Sequence, residues 1–464
     1  MNLVFVHGWS VTDTDTYGEL AKALSAIAAD HGISLAVSQI NLAKYISFHD
    51  EVTLDDISRA MDTALREMPG NTQAIQDFSC ITHSTGGPVV RNWLELYYGS
   101  RKLDECPLRH LIMLAPANHG SALGALGKQR VGRMKAWFGG VEPGQRVLDW
   151  LSLGSTGQWE LNERHLSCDL VKHQVYPFVL TGQGIDRKLY DFLNSYLKEP
   201  GSDGVVRVAG ANMNYRFLRL EQTSTVLRKS PLTLELEPPT RSTVRIPKPT
   251  ALGVFENYSH SGKDMGIMRS VTSNAENPAP IVEQIMKCLA VKTPEDYSDR
   301  SRELTQLTET QQQGKSRYAM LVLNIHDETG AGFARDAFDV FLLYGSHYRP
   351  EDVPKGFFQD RQLNTTTNRL VYYIDADKMS PDNIENPLFG IRIIVRPDSG
   401  FAYHCAGEFR SKGYPIAKII APNETTYIDI TLKRQVDKNV FRLIPASEKT
   451  GSFKSTKPSG ETLP

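Results

Sequence analysis

The stretch CITHSTGGPVVRNW, running from Cys80 to Trp93, decides how the chain is read. An apolar run, FSCIT, ends in a histidine–serine–threonine corner and continues through Gly86 and Gly87 into a helical pattern. Ser84 therefore stands on a sharp strand-to-helix turn. The backbone doubles back there, so close neighbours must be small, and Gly86 meets that need. The helix that follows points its N-terminal amides at the serine, where they stabilise negative charge. Serine alone is a weak nucleophile; it needs a base within hydrogen-bond reach and a third group to orient that base.

Outward from this corner the first 290 residues alternate strand and helix. Leu3-Val4-Phe5-Val6 is a short continuous apolar run, as in a strand buried on both faces. Leu20, Ala23, Leu24 and Ile27 recur at helical spacing before a stop at Gly32. ISLAVSQI reads as strand. Thr53, with Asp56 three residues on, caps a helix over TLDDISRAMDTALREMPG. FSCIT, LRHLIMLAP, YPFVLTG and GVVRVAG complete the strand patterns, and NPAPIVEQIMKCLA closes the unit as a helix. This rhythm predicts an α/β fold with a mostly parallel sheet and helices on both faces. Residues 121–170 break the rhythm with Gly-rich and aromatic sequence, and 212–255 read as a long irregular insert. The polar stretch 291–316 reads as a linker, helical in part. Residues 317–445 carry alternating strands, such as Tyr427 to Leu432, and predict a sandwich-like β domain. Residues 446–464 read as a disordered tail.

Composition narrows the function classes. The chain has 464 residues, enough for two domains, with 40% hydrophobic content. Lys and Arg number 52 against 53 Asp and Glu, which argues against bulk nucleic-acid binding. Cys80, Cys106, Cys168, Cys288 and Cys405 are scattered, without metal-site spacing, and read as reduced, buried thiols made in a reducing compartment. The N-terminal MNLVFVHGWS lacks the pattern of a cleaved signal, and no run reaches membrane-spanning length. The expectation is a soluble, cytoplasmically made protein; any export uses a route without a cleaved signal.

Five segments carry a resemblance. THSTGG together with FVHGWS, then APANHGSA, GSDGVV and YSHSGKDMG, resemble the α/β-hydrolase lipases and esterases, in the branch of bacterial lipases and lecithin–cholesterol acyltransferase-like enzymes. The resemblance covers about residues 1–290. It departs from the family's G-x-S-x-G pattern at Thr82, which stands where the first glycine is usual. It implies Ser84 as nucleophile, Asp203 as acid and His260 as base, in the order this fold uses. Asp186, directly after a strand pattern, is the rival acid. The oxyanion hole would use the backbone amides of Trp9 and Thr85. Further pocket candidates are His7 and His119, in segments that shape the pocket in the family though neither is taken as the base, Gly8, which keeps the oxyanion turn open, and His83, which adjoins the nucleophile but is expected to point away from it and pack. Residues 121–170 fall where family lids begin, so Trp137 and Phe138 either line an acyl pocket or pack a cap. No cofactor and no metal site are implied.

The expected activity is hydrolysis of lipid esters, as a lipase or phospholipase, through an acyl-enzyme. The expected partners are a lipid or acyl-ester substrate and, through the C-terminal domain, a membrane surface or a protein. Signal-less phospholipases of this size resemble toxic effectors passed between cells, an analogy only. Two alternatives remain open at this stage: an esterase, thioesterase or acyltransferase for soluble acyl compounds, or a binding module centred on the β domain.

Overall fold

The computed structural model describes residues 1–6, 17–40, 50–71, 73–123, 144–185, 199–239, 244–334, 336–379, 388–396, 402–414, 416–436 and 447. The strands of the first part are β1 (Asn2–Val6), β2 (Ala36–Ile40), β3 (Phe78–His83), β4 (Leu108–Leu114), β5 (Tyr176–Gly182), β6 (Tyr215–Lys229), β7 (Leu232–Glu237) and β8 (Ala251–Phe255). Among the described residues, six of them form a parallel sheet in the order β2-β1-β3-β4-β5-β8. The helices are α1 (Leu20–Ile27), α2 (Leu54–Arg66), α3 (Gly86–Tyr97), α4 (Gln145–Leu151), α5 (Thr156–His165), α6 (Pro280–Leu289) and α7 (Pro294–Gln311).

Alternate strand residues feed two cores. Val4, Val6, Cys80 and Met113 pack with Ile57, Met61 and Leu65 of α2 and with Val90 and Trp93 of α3. Leu3, Phe5, Ile81 and Ile112 pack with α1, α6 and α7 on the other face. Coverage on both faces is why these strands read as unbroken apolar runs. Thr53 and Asp56 form the expected reciprocal cap of α2, the Thr53 hydroxyl accepting from the Asp56 amide at 3.2 Å. All five cysteines are buried and unpaired.

The second part contributes β9 (Tyr318–Asp327), β10 (Phe338–Tyr344), β11 (Phe358–Leu363), β12 (Leu370–Asp375), β13 (Phe389–Val395), β14 (Ala402–His404), β15 (Ala406–Arg410), β16 (Thr425–Leu432) and β17 (Arg434–Val436). Among the described residues seven of these join β6 and β7 in a nine-stranded mixed sheet, β10-β13-β15-β7-β6-β16-β9-β12-β11, and β14 and β17 form a small pair. The sheet curls until Tyr372 on β12, next to the end strand β11, donates its hydroxyl proton to the Val340 carbonyl on the opposite end strand β10, at 3.2 Å. Strand alternation divides its side chains. Leu321, Leu323, Ile391, Phe409 and Ile428 form the inner core, and Met320, Val322, Tyr373 and Tyr427 pack with Trp159 of α5 and Tyr215.

Three sequence expectations change. The stretch 212–255 is not irregular: β6 and β7 sit in the middle of the nine-stranded sheet, β6 parallel to β16 and β7 parallel to β15. Only the hairpin pairing of β6 with β7 is local; the flanking partners that make both strands central lie about 200 residues away in sequence. The polar stretch 291–316 is largely α7, capped by Thr293 and Asp296 and bound to the parallel sheet: the Tyr297 hydroxyl donates to the Pro177 carbonyl at 2.7 Å and accepts from the Ala251 amide at 3.0 Å. The run GVVRVAG is not a strand. It forms a tight loop and one helical turn, Val208–Ala211, because the amides of Val205 and Val206 turn inward onto Asp203.

Candidate active site

Ser84 sits between β3 and α3 with φ of 53°, a left-handed conformation unusual for a residue with a side chain. That corner is held by its surroundings. The Ser84 amide donates to the Leu114 carbonyl at 3.1 Å, and the Ser84 carbonyl accepts from Ala117 and Gly87, each at 3.3 Å. Helix α3 packs so close to the segment after β4 that a Cβ on Gly87 would lie 2.7 Å from the Pro116 Cβ. Thr82, in place of the family's glycine, is buried within β3, paired in register with Val6 on one side and Met113 on the other. A β-branched residue there suits the strand and leaves the corner intact.

His260 Nε2 lies 3.0 Å from Ser84 Oγ, and His260 Nδ1 lies 2.9 Å from Asp203 Oδ2. An ionised carboxylate only accepts, so Nδ1 carries the proton and Nε2 faces the serine hydroxyl as acceptor. The three residues come from separate loops, 57 positions apart for Asp203 and His260 and 176 for Ser84 and His260. Asp203 is fully buried. Its other oxygen accepts from the Val205 amide at 2.9 Å and the Val206 amide at 2.7 Å, while its carbonyl accepts from the His260 amide at 3.0 Å. Ser84 is half-buried, which leaves the hydroxyl reachable from outside. Thr85 follows it, buried at the head of α3.

His83 turns away from the serine and donates from Nε2 to the His260 carbonyl at 3.0 Å, its ring centroid 4.6 Å from that of His260. It steadies the loop that bears the imidazole. His119, expected to shape the pocket, faces the β domain instead: Nε2 donates to the Asn212 carbonyl and Nδ1 accepts from the Tyr427 hydroxyl, both at 2.7 Å. Burial, with the Arg91 guanidinium nearby, pushes its pKa down to about 3. Arg91, one face of α3 behind the nucleophile, is buried and donates to Asn118 and Asn162, and Asn162 donates to Tyr427. These residues escape sequence reading, because only the fold joins Asn162 to Tyr427 across 265 positions.

His7, Gly8, Trp9, Trp137, Phe138 and the rival acid Asp186 lie outside the described residues. Among the described residues no group of three His, Cys, Asp or Glu side chains could hold a metal ion, and no helix is long and apolar enough to cross a membrane.

No protein-family model matches the chain, and no curated protein does. Solved structures do. Phospholipase PlaB from Legionella pneumophila is 40% identical, with a TM-score of 0.87, over 100% of this chain and 99% of that one. The same phospholipase in complex with thio-NAD gives 39% identity and a TM-score of 0.86 over 100% of both chains. The agreement extends through both sheets, including the part that the earlier resemblance left open. Sharing two-fifths of its residues with a structure it follows from end to end, the chain belongs to the PlaB family of phospholipases, α/β-hydrolases with a C-terminal β domain.

Proposed function

We propose that this lipid-ester hydrolase cleaves the acyl esters of phospholipids, with Ser84 as nucleophile, His260 as general base and Asp203 as the group that orients the base. The observation carrying this reading is the unbroken hydrogen-bond path from Ser84 Oγ through both nitrogens of His260 to Asp203. His260 takes the Ser84 proton as Oγ attacks the ester carbonyl. Asp203 holds the imidazole in the tautomer required and stabilises the imidazolium that forms. The Thr85 amide at the head of α3, together with that of Trp9, receives the developing oxyanion. The imidazolium then protonates the departing lysolipid alkoxide. Water, deprotonated by the same imidazole, releases the fatty acid and restores Ser84. The family relationship supplies the substrate class, since the relative is a phospholipase. A phospholipid resides in a bilayer, so turnover includes peripheral contact with a membrane surface.

A fluorophosphonate probe followed by peptide mapping tests the nucleophile; the adduct is expected on Ser84. Ser84→Ala and His260→Ala are expected to lower kcat on phospholipid vesicles by roughly 10⁴-fold or more, as deletions in such triads do. Release of fatty acid from short soluble esters but not from phospholipid vesicles would refute the substrate class. Modification at another serine would refute the mechanism.

A further inference from the structure

The loop bearing Asp203 rests on the β domain. Its two ends, Glu199 and Arg207, meet in a forked ion pair, with Arg207 Nε and Nη2 each 2.7 Å from a Glu199 oxygen. Between them the loop is tied internally: the Val208 amide donates to the Gly201 carbonyl at 2.9 Å and the Asp203 amide to the Val206 carbonyl at 3.1 Å. Arg207 is itself buried, 2% exposed, and points into the nine-stranded sheet. Its Nη2 also donates to Asp360 on β11 at 2.5 Å, 153 positions away, and its guanidinium lies 4.2 Å from the centre of the Tyr373 ring on β12. The Tyr373 hydroxyl donates to the Pro200 carbonyl at 2.8 Å. Gly201, at φ of 71°, lies flat against this surface, and a Cβ there would collide with the Tyr318 ring of β9. Burial opposes the charge on Arg207, but Glu199, Tyr373 and Asp360 together hold its pKa above the ordinary arginine value.

A buried ion triad contributes little net stability, because desolvation of the charges offsets most of their attraction. What it does is exclude other geometries: a fork with planar, two-oxygen recognition allows one arrangement of the loop ends. Asp203, whose carboxylate contacts His260, lies four positions from each arm of this fork. We infer that Arg207, clamped by Glu199, Asp360 and Tyr373, is a positioning residue that holds Asp203 against His260, so that the C-terminal β domain completes the active site of the hydrolase domain. The inference rests on the triad reading above and extends it to residues that touch neither substrate nor reacting atoms.

The test compares Arg207→Ala, Asp360→Asn and Tyr373→Phe with Asp203→Asn, in the full-length chain, with rates expressed per active site titrated by a fluorophosphonate. Titration counts only folded sites, so loss of protein does not register as loss of rate. Arg392→Ala serves as a stability control, since Arg392 pairs with the buried Glu408 elsewhere in the same sheet. The clamp variants are expected to lower kcat by roughly 10- to 100-fold with KM held within about twofold, and to slow labelling of Ser84 in parallel, as a small misplacement of a catalytic group does. Arg392→Ala is expected to lower Tm and leave kcat per site unchanged. If Asp360→Asn and Tyr373→Phe keep full kcat per titrated site while Asp203→Asn loses it, the clamp is a structural tie only and the inference falls. If Asp203→Asn itself keeps full kcat, the triad reading falls first.

Discussion

At the scale of single residues the chemistry is local and the burial is not. Ser84 could be read from the sequence because an apolar strand, a polar corner and a pair of glycines are neighbours in the chain. Asp203 and His260 came with it because the fold uses them in that order, and the structure brings both within hydrogen-bond distance of their partners. His119 was misplaced, since nothing near it in sequence announces Tyr427, 308 positions away. Its burial has a measurable result. The folded state keeps the His119 imidazole neutral down to about 3, whereas the unfolded chain takes up a proton near the ordinary 6.5. Protons bound by the unfolded state alone favour unfolding as pH falls. The stability contribution of this group is therefore complete above about 6.5 and declines as pH falls toward about 3. His119→Gln, which keeps one donor and one acceptor, is expected to flatten the dependence of the urea midpoint on pH between those limits. An unchanged slope would show that His119 does not contribute to it.

At the scale of elements, propensity and capping could be read but packing could not. The capping box at Thr53 was visible from spacing alone, and the matching one at Thr293 opens α7 inside a segment that otherwise looked like a spacer. Polar composition misled there because α7 buries few residues, among them Tyr297 and Leu304, and turns the rest to solvent. Thr293→Ala is expected to cost about 1 kcal/mol, the usual value for losing such a cap, read from the urea midpoint. Limited proteolysis is expected to spare residues 294–311, where a flexible linker would be cut first. The hairpin β6–β7 misled in the opposite way. Tyr215 and Phe217 face one core and Leu218 and Leu220 the other, so a strand covered on both faces shows no simple polar–apolar alternation.

At the scale of the whole molecule, two sheets are joined by shared chain rather than by a tether. Phe217 stacks on Tyr427 with ring centroids 4.6 Å apart, and Trp159 of α5 meets both rings edge-on. Such aromatic pairs contribute roughly 0.5–1.5 kcal/mol each beyond the area they bury. Removing β6 and β7 would split the nine-stranded order between β15 and β16 and expose Leu234, Leu236, Leu218 and Leu220 contacts to water. The isolated stretch 317–464 is accordingly expected to lack a single cooperative unfolding transition. The full chain nicked once in a turn of the β domain, such as Gly345–Tyr348, should retain it. Sharp, two-state melting of 317–464 alone would contradict this view of the sheet. The α/β half was legible in advance because its strands are near neighbours in sequence; the β half was legible only as a set of strands, since its order depends on a hairpin made much earlier.

That hairpin imposes a timetable on synthesis. A ribosome makes Tyr215–Glu237 long before Thr425–Leu432, the strand that β6 aligns with from Tyr215 through Glu221. Until β15 and β16 emerge, the hairpin has no neighbour on either flank, and until β9, β11 and β12 do, the loop with Asp203 has no floor beneath it. If Arg207 positions Asp203, a nascent hydrolase half holds its acid less firmly until β11 and β12 have been made.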